Sequence, residues 1–192
     1  MKTDVIAISG GADDTQAVLE QIDKVIAYKG LAARDALSLR LLAEEMTGMM
    51  RAITGSMKGE FWAEDQDGAV YELHLKVHSL VDEKMRKQLL DASTSKKNEA
   101  ARGIMGKIRT FFEPASDVPM FAGTGVPQMS ESYSWSMADY REQLRQYREK
   151  NANGRQEEWD ELEKSVVANV ADDVKVSIRG RIVEMIITKK MG

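Results

Sequence analysis

The sequence predicts an α+β fold: a two-layer sandwich with a mixed, mainly antiparallel sheet and helices on one face. Three observations carry that expectation. Two stretches of alternating polarity are each broken by a tight turn, at Asp67-Gly68 and at Gly180-Arg181. Two segments ahead of the first hairpin repeat their apolar residues at helical spacing, and an amphipathic helix precedes the second. The expected order is β-α-α-β-β-α-α, an irregular and helical stretch, then α-β-β.

Taken in order, Asp4–Ser9 reads as a short strand ending at Gly10-Gly11. Asp13 or Asp14 caps a helix with Val18, Ile22, Val25 and Ile26 on one side, and Gly30 stops it. A second helix, about Asp35 to Ile53, carries Leu39, Leu42, Met46, Met49, Met50 and Ile53 on a broad stripe and ends at Gly55. In the first hairpin, Tyr71, Leu73, Leu75 and Val77 alternate with Glu72, His74, Lys76 and His78, so one face is buried and the other polar. Helices are expected near Asp82–Ala92 and Glu99–Phe112. All three prolines fall between 114 and 155, along with Gly123-Thr124-Gly125 and a charged helix from about Ala138 to Lys150. A final helix with Trp159, Leu162, Val166 and Val170 leads into the closing hairpin, VKVSIR–GR–IVEMIITK. The chain reads as one domain over 1–192, with an insertion at about 114–155 and no internal repeat of sequence.

Composition narrows the classes. The 192 residues hold 27 Lys and Arg, 31 Asp and Glu, two His, twelve Met and no Cys. Without cysteine there is no disulfide scaffold, thiolate zinc site, iron–sulfur cluster or thiol nucleophile. The formal charge is −4 and the isoelectric point about 5.4, which argues against general nucleic-acid binding. No apolar run approaches the ~18 residues of a membrane span, and residues 1–10 do not read as a signal or transit peptide. The expected compartment is the cytoplasm, with no membrane partner.

Charge is nonetheless uneven. Between Lys84 and Arg109 there are eight basic residues against Asp91 and Glu99, a local charge of +6. A solvated helix surface and a surface that meets phosphates both account for such a run.

Particular residues within this order resemble the histidine kinase-like ATPase fold, in its anti-sigma factor and serine-kinase branch. LSLRLLAEEMTGMMRAITG is similar to the family helix in which a Glu precedes a magnesium-binding Asn by four residues, and Glu45 matches that Glu. YELHLKVHSLVD resembles the strands that end in the adenine-binding Asp-x-Gly. ARGIMGKIRTFF resembles the Gly-x-Gly helix start that meets phosphates, with Gly103 at the second glycine, and VKVSIRGRIVEMIITK is similar to the closing strands. The resemblance covers 1–112 and 156–190.

Three positions depart from the family pattern. Met49 stands at the Asn position, and a thioether is a poor ligand for hard Mg²⁺. His78, Ser79 and Leu80 replace Asp-x-Gly, and Ala101 replaces the first phosphate glycine.

The resemblance therefore implies a regulatory protein lacking normal Mg-ATP chemistry that acts through a protein partner, a sigma factor or other regulator. The alternative is an ATP-binding, anti-sigma-type serine kinase with non-standard contacts. On that alternative ATP or ADP is the cofactor, Mg²⁺ fits poorly, and a homodimer is one assembly to test. Glu45 would be the water-activating base, and Met49, His78, Ser79, Lys97, Arg102 and Gly103 would line the nucleotide site. A helix starting near Glu99 offers free N–H groups beside Lys96 and Lys97.

The residues also carry plainer readings. Glu45 borders the helix stripe, and Met46, Met49, Met50 and Met57 fill a core. Gly123 to Gly125 is a turn. His74 and His78, ~13 Å apart on one strand face, cannot share a metal ion. A third reading sets the 84–109 surface against RNA or DNA.

Overall fold

The computed structural model describes residues 1–11, 13–54, 58–78, 133–150, 165–179 and 181–191. The expected helices at 82–92 and 99–112, the turn at 123–125, and Ser79, Lys97, Arg102 and Gly103 lie outside the described residues.

Strand β1 (Ile6–Ser9) leads into α1 (Asp14–Lys29) and α2 (Ala33–Thr54), then the hairpin β2 (Lys58–Gln66) and β3 (Val70–His78). After the undescribed stretch come β4 (Tyr133–Ser136), α3 (Met137–Lys150), the short α4 (Val166–Val170), and the hairpin β5 (Asp173–Arg179) and β6 (Ile182–Lys190). Among the described residues the sheet has six strands, in the order β1-β2-β3-β6-β5-β4. Every described pair is antiparallel, so the sheet is not mixed as expected. Each β2–β3 or β5–β6 neighbour is a hairpin return, which dictates that direction.

Described element by element, the chain runs strand, helix, helix, hairpin twice over. The two halves meet where β3 pairs with β6 from Val70↔Lys190 to His78↔Ile182. The pair at the centre of that seam is His74↔Ile186, about which the two halves are related as by a two-fold axis. This repetition lies in the order of elements and has no counterpart in the residues.

Local chemistry explains the elements. Gly30 closes α1 in the left-handed region (φ 61), its N–H donating to Ala27 O and the next N–H, from Leu31, to Ile26 O. The N-cap is Asp13, yet its side chain makes no cap bond. Buried Asp14 instead accepts from Ser9 N–H (3.1 Å), Ser9 Oγ (3.2 Å) and Gly10 N–H (2.6 Å), tying the helix start to the end of β1. At the first hairpin Asp67 (φ 54) and Gly68 (φ 72) are both left-handed, as a primed turn requires, and Ala69 N–H donates to Gln66 O at 3.1 Å.

The inward positions of the strands meet the helix stripes in one core. Phe61, Tyr71, Leu73, Leu75, Met185 and Ile187 face Val18, Ile22, Leu39, Leu42, Met46 and Met50 across the two layers. The stretch expected as an insertion at 114–155 is integral over its described part. Its β4 forms a sheet edge, and Met137, Tyr140 and Leu144 of α3 are buried in the same core. The start of α3 is fixed by Ser136 Oγ, which accepts from Asp139 N–H at 3.3 Å, and by Asp173, which accepts from Ala138 N–H at 2.9 Å.

Candidate functional site

The site implied by the family resemblance is only partly assembled. Glu45 and Met49 lie one turn apart on α2. Glu45 is half-buried at the border of the stripe, and among the described residues its side chain makes no hydrogen bond. Met49 is 6% exposed and belongs to the core, with Met46 and Met50 beside it at 0%. Magnesium does not fit here: the side chain at the ligand position is a thioether, and it packs among apolar groups. His78 is exposed at the last position of β3, paired with Ile182 of β6. It stands at a strand end, on the face of the sheet away from the helices.

That outer face carries a cluster which the sequence alone did not single out. The hairpin register sets Trp62 of β2 opposite His74 of β3, and β6 sets Ile186 on the other side of His74. The imidazole and indole stack with centroids 4.7 Å apart and planes 7° from parallel. Trp62 Nε1–H donates to Glu64 Oε1 at 2.7 Å, and Lys2 Nζ meets the same oxygen at 2.9 Å. Lys2 Nζ also lies 4.9 Å from the Trp62 ring centroid, within cation–π range. Lys2 bridges to Glu64 on the edge of β2 opposite β3, so Lys2 and His74 come to the indole from the two flanking strands' sides.

His74 differs from the solvated strand histidine that alternation predicts. It is 8% exposed, and among the described residues neither ring nitrogen has a hydrogen-bond partner. Leaving a buried polar group unpaired costs roughly 1–3 kcal/mol, so its neighbours matter. Glu72 Oε2 stands 3.7 Å from His74 Nε2, just beyond bonding range. Burial holds the imidazole below its usual pKa, with Lys2 acting the same way, while Glu64, Glu72 and Glu184 pull upward. The ring is therefore neutral near pH 7. Glu64 sits below the ordinary carboxylate value, chiefly through its Lys2 and Trp62 hydrogen bonds.

The sequence does not give this pairing. Counting outward from a two-residue Asp67-Gly68 turn sets Trp62 against Leu73; the loop also holds Ala69, and that extra residue brings Trp62 opposite His74 on the polar face.

A second polar centre is structural. Asp65, whose side chain is 2% exposed, meets the Met1 amine at 3.0 Å and Lys29 Nζ at 2.9 Å. It also accepts from Gly68 N–H at 2.9 Å. Asp65 thereby joins the N-terminal segment, the end of α1 and the hairpin turn. Burial raises its pKa, but the Lys29, N-terminal and Gly68 hydrogen bonds outweigh that and hold it below the usual value.

Among the described residues, no three His, Asp or Glu side chains converge on a metal position, and no helix is long and apolar enough to cross a membrane. No family model matches this chain, and neither the curated proteins nor the solved structures contain a match to it.

Proposed function

We propose that this chain is a regulatory protein of histidine kinase-like ATPase ancestry that lacks normal Mg-ATP chemistry and acts through a protein partner in the cytoplasm. The observation that supports the reading is Met49. The α2 position where the resembling family holds its magnesium-binding Asn is taken here by a thioether buried in the core. The chain shares with that family the two-layer α+β arrangement, with α1 and α2 against one face of the sheet, and departs from it in a described sheet that is antiparallel throughout. The partner class, a sigma factor or another regulator, comes from the resemblance.

Thermal melts with millimolar ATP or ADP, with and without Mg²⁺, test the proposal. A ligand that binds only the native state at a hundredfold excess over Kd adds about 2.7 kcal/mol, which is several degrees for a chain of this size. The expected result is no shift. A clear shift, or ATP turnover abolished by Glu45→Gln, would overturn the reading in favour of an ATP-binding serine kinase.

A further inference from the structure

We propose that His74 and Trp62 form a proton-operated latch on the outer face of the sheet. Neutral, the imidazole stays stacked on the indole; protonated, it turns its Nε2–H onto Glu72 and leaves Trp62, which backs the Lys2–Glu64 strap. The idea is independent of whether the chain binds a nucleotide.

The geometry gives the latch its two positions. In the first, the rings lie 4.7 Å apart and nearly parallel, with neither imidazole nitrogen hydrogen-bonded among the described residues. In the second, closing the 3.7 Å gap to Glu72 Oε2 converts a near contact into a charge-assisted hydrogen bond. Nothing but a proton from solvent is needed to pass between them.

The charges around the ring decide when it moves. From its own strand, Glu72 and Lys76 lie two residues to either side; from β2, Glu64 and Glu60 lie diagonally on either side of Trp62. From β6, Glu184 faces it, beside apolar Ile186 and neutral Thr188; Lys2 comes from the N-terminal segment. Three carboxylates favour the imidazolium, while burial and Lys2 oppose it, and burial is the largest effect. A charged ring in the stacked position is thus disfavoured. Moving toward Glu72 relieves this by pairing the charge.

The strap, residues 1–5, is held at several points. Asp65 N–H donates to Met1 O (2.8 Å), the Met1 amine meets Asp65 O (2.9 Å) and Asp65 Oδ1 (3.0 Å), Thr3 N–H donates to Ala63 O (2.9 Å), and Ala63 N–H donates to Thr3 Oγ1 (3.0 Å). Gln21 Nε2–H donates to Asp4 O (2.9 Å), and the Lys2–Glu64 pair (2.9 Å) lies on the outer face. Lys2 and the Trp62 indole N–H share one oxygen of Glu64, so a displaced indole alters both. Acid would therefore loosen the segment around Lys2 from the sheet, while the Met1–Asp65 pair still ties its start and the core beneath stays folded.

Nuclear magnetic resonance on the whole chain tests the latch, following the His74 Cε1–H and Trp62 Nε1–H resonances from pH 8 to 5. The latch predicts one shared midpoint below the free imidazole value of 6.5. It also predicts that the Thr3 and Asp65 amides lose exchange protection, relative to intrinsic rates, on the acid side of that midpoint. His74→Gln should flatten the Trp62 response, and Glu72→Gln should lower the midpoint further. A Trp62 resonance that stays constant while His74 titrates would refute the latch, as would strap amides whose protection ignores the transition. These two readouts come from the unsubstituted protein, so they decide the matter even if a variant does not fold.

Discussion

Replacing Met49 by Asn separates a core position from a ligand position. Met49 is 6% exposed and packs among Met46, Met50 and the inward strand residues. Asn there removes a large apolar side chain and buries an amide. Large-to-small changes at such sites cost about 2–5 kcal/mol, and an amide buried without partners adds roughly 1–3. Partial relaxation and the retained side-chain volume make about 3 kcal/mol a reasonable expectation. For a chain this long that corresponds to a fall of roughly 6–12 °C in Tm. Met49→Leu, nearly equal in volume, should cost less than about 1.5 kcal/mol. Urea denaturation of the three proteins, read by circular dichroism, gives the comparison. If Met49→Asn lies within about 0.5 kcal/mol of the parent, the position is not core and the argument for lost magnesium binding fails. Recovery of Mg-ATP binding by that variant would instead support the thioether at position 49 as the cause of the lost magnesium binding.

Two further substitutions follow from the packing. A methyl group on Gly59 would fall on the Lys76 carbonyl oxygen and lie 2.8 Å from Val77 Cα, so Gly59→Ala must push strand backbone rather than a side chain. A loss of about 3 kcal/mol or more in chemical denaturation is expected, and a neutral result would show that β2 and β3 separate easily at that end. At Asp65 the folded pKa is depressed, so its stabilising contribution is present above the unfolded value near 3.8 and is lost as pH falls through the folded one. Lys29→Met removes a principal partner; the acid loss should then begin at higher pH, and melts between pH 3 and 7 would show an unchanged profile if Lys29 is idle.

Much of the fold is written in local pattern. The Asp67-Gly68 turn and the two-residue alternation of β3 specify the hairpin, and the α1 and α2 stripes name their own core residues. Strand β4 was hidden because it has four residues, with Trp135 between serines in a stretch rich in turn formers. What places it is pairing with β5, from Tyr133↔Ile178 to Ser136↔Lys175, a long-range contact no local window contains. The burial of His74 is hidden for a related reason. Alternation correctly assigns it to the polar face, but its burial comes from Trp62 on one neighbouring strand and Ile186 on the other. Asp65 reads as a turn-flanking residue until Lys29, distant in sequence, reaches it. The expected nucleotide site rests on a family pattern, and only its α2 and β3 positions fall on described residues.

The seam between β3 and β6 also bears on how quickly the chain reaches its native state. Its nine paired positions join residues more than a hundred apart, whereas each hairpin closes across a tight turn. Local returns form on the microsecond scale, while distant pairings must first overcome the entropy of closing a long loop. Each half can therefore gather its own strands early, and joining them is the slow event. Substitutions along that seam, at Leu73 or Ile187, should slow refolding more than those confined to one hairpin turn.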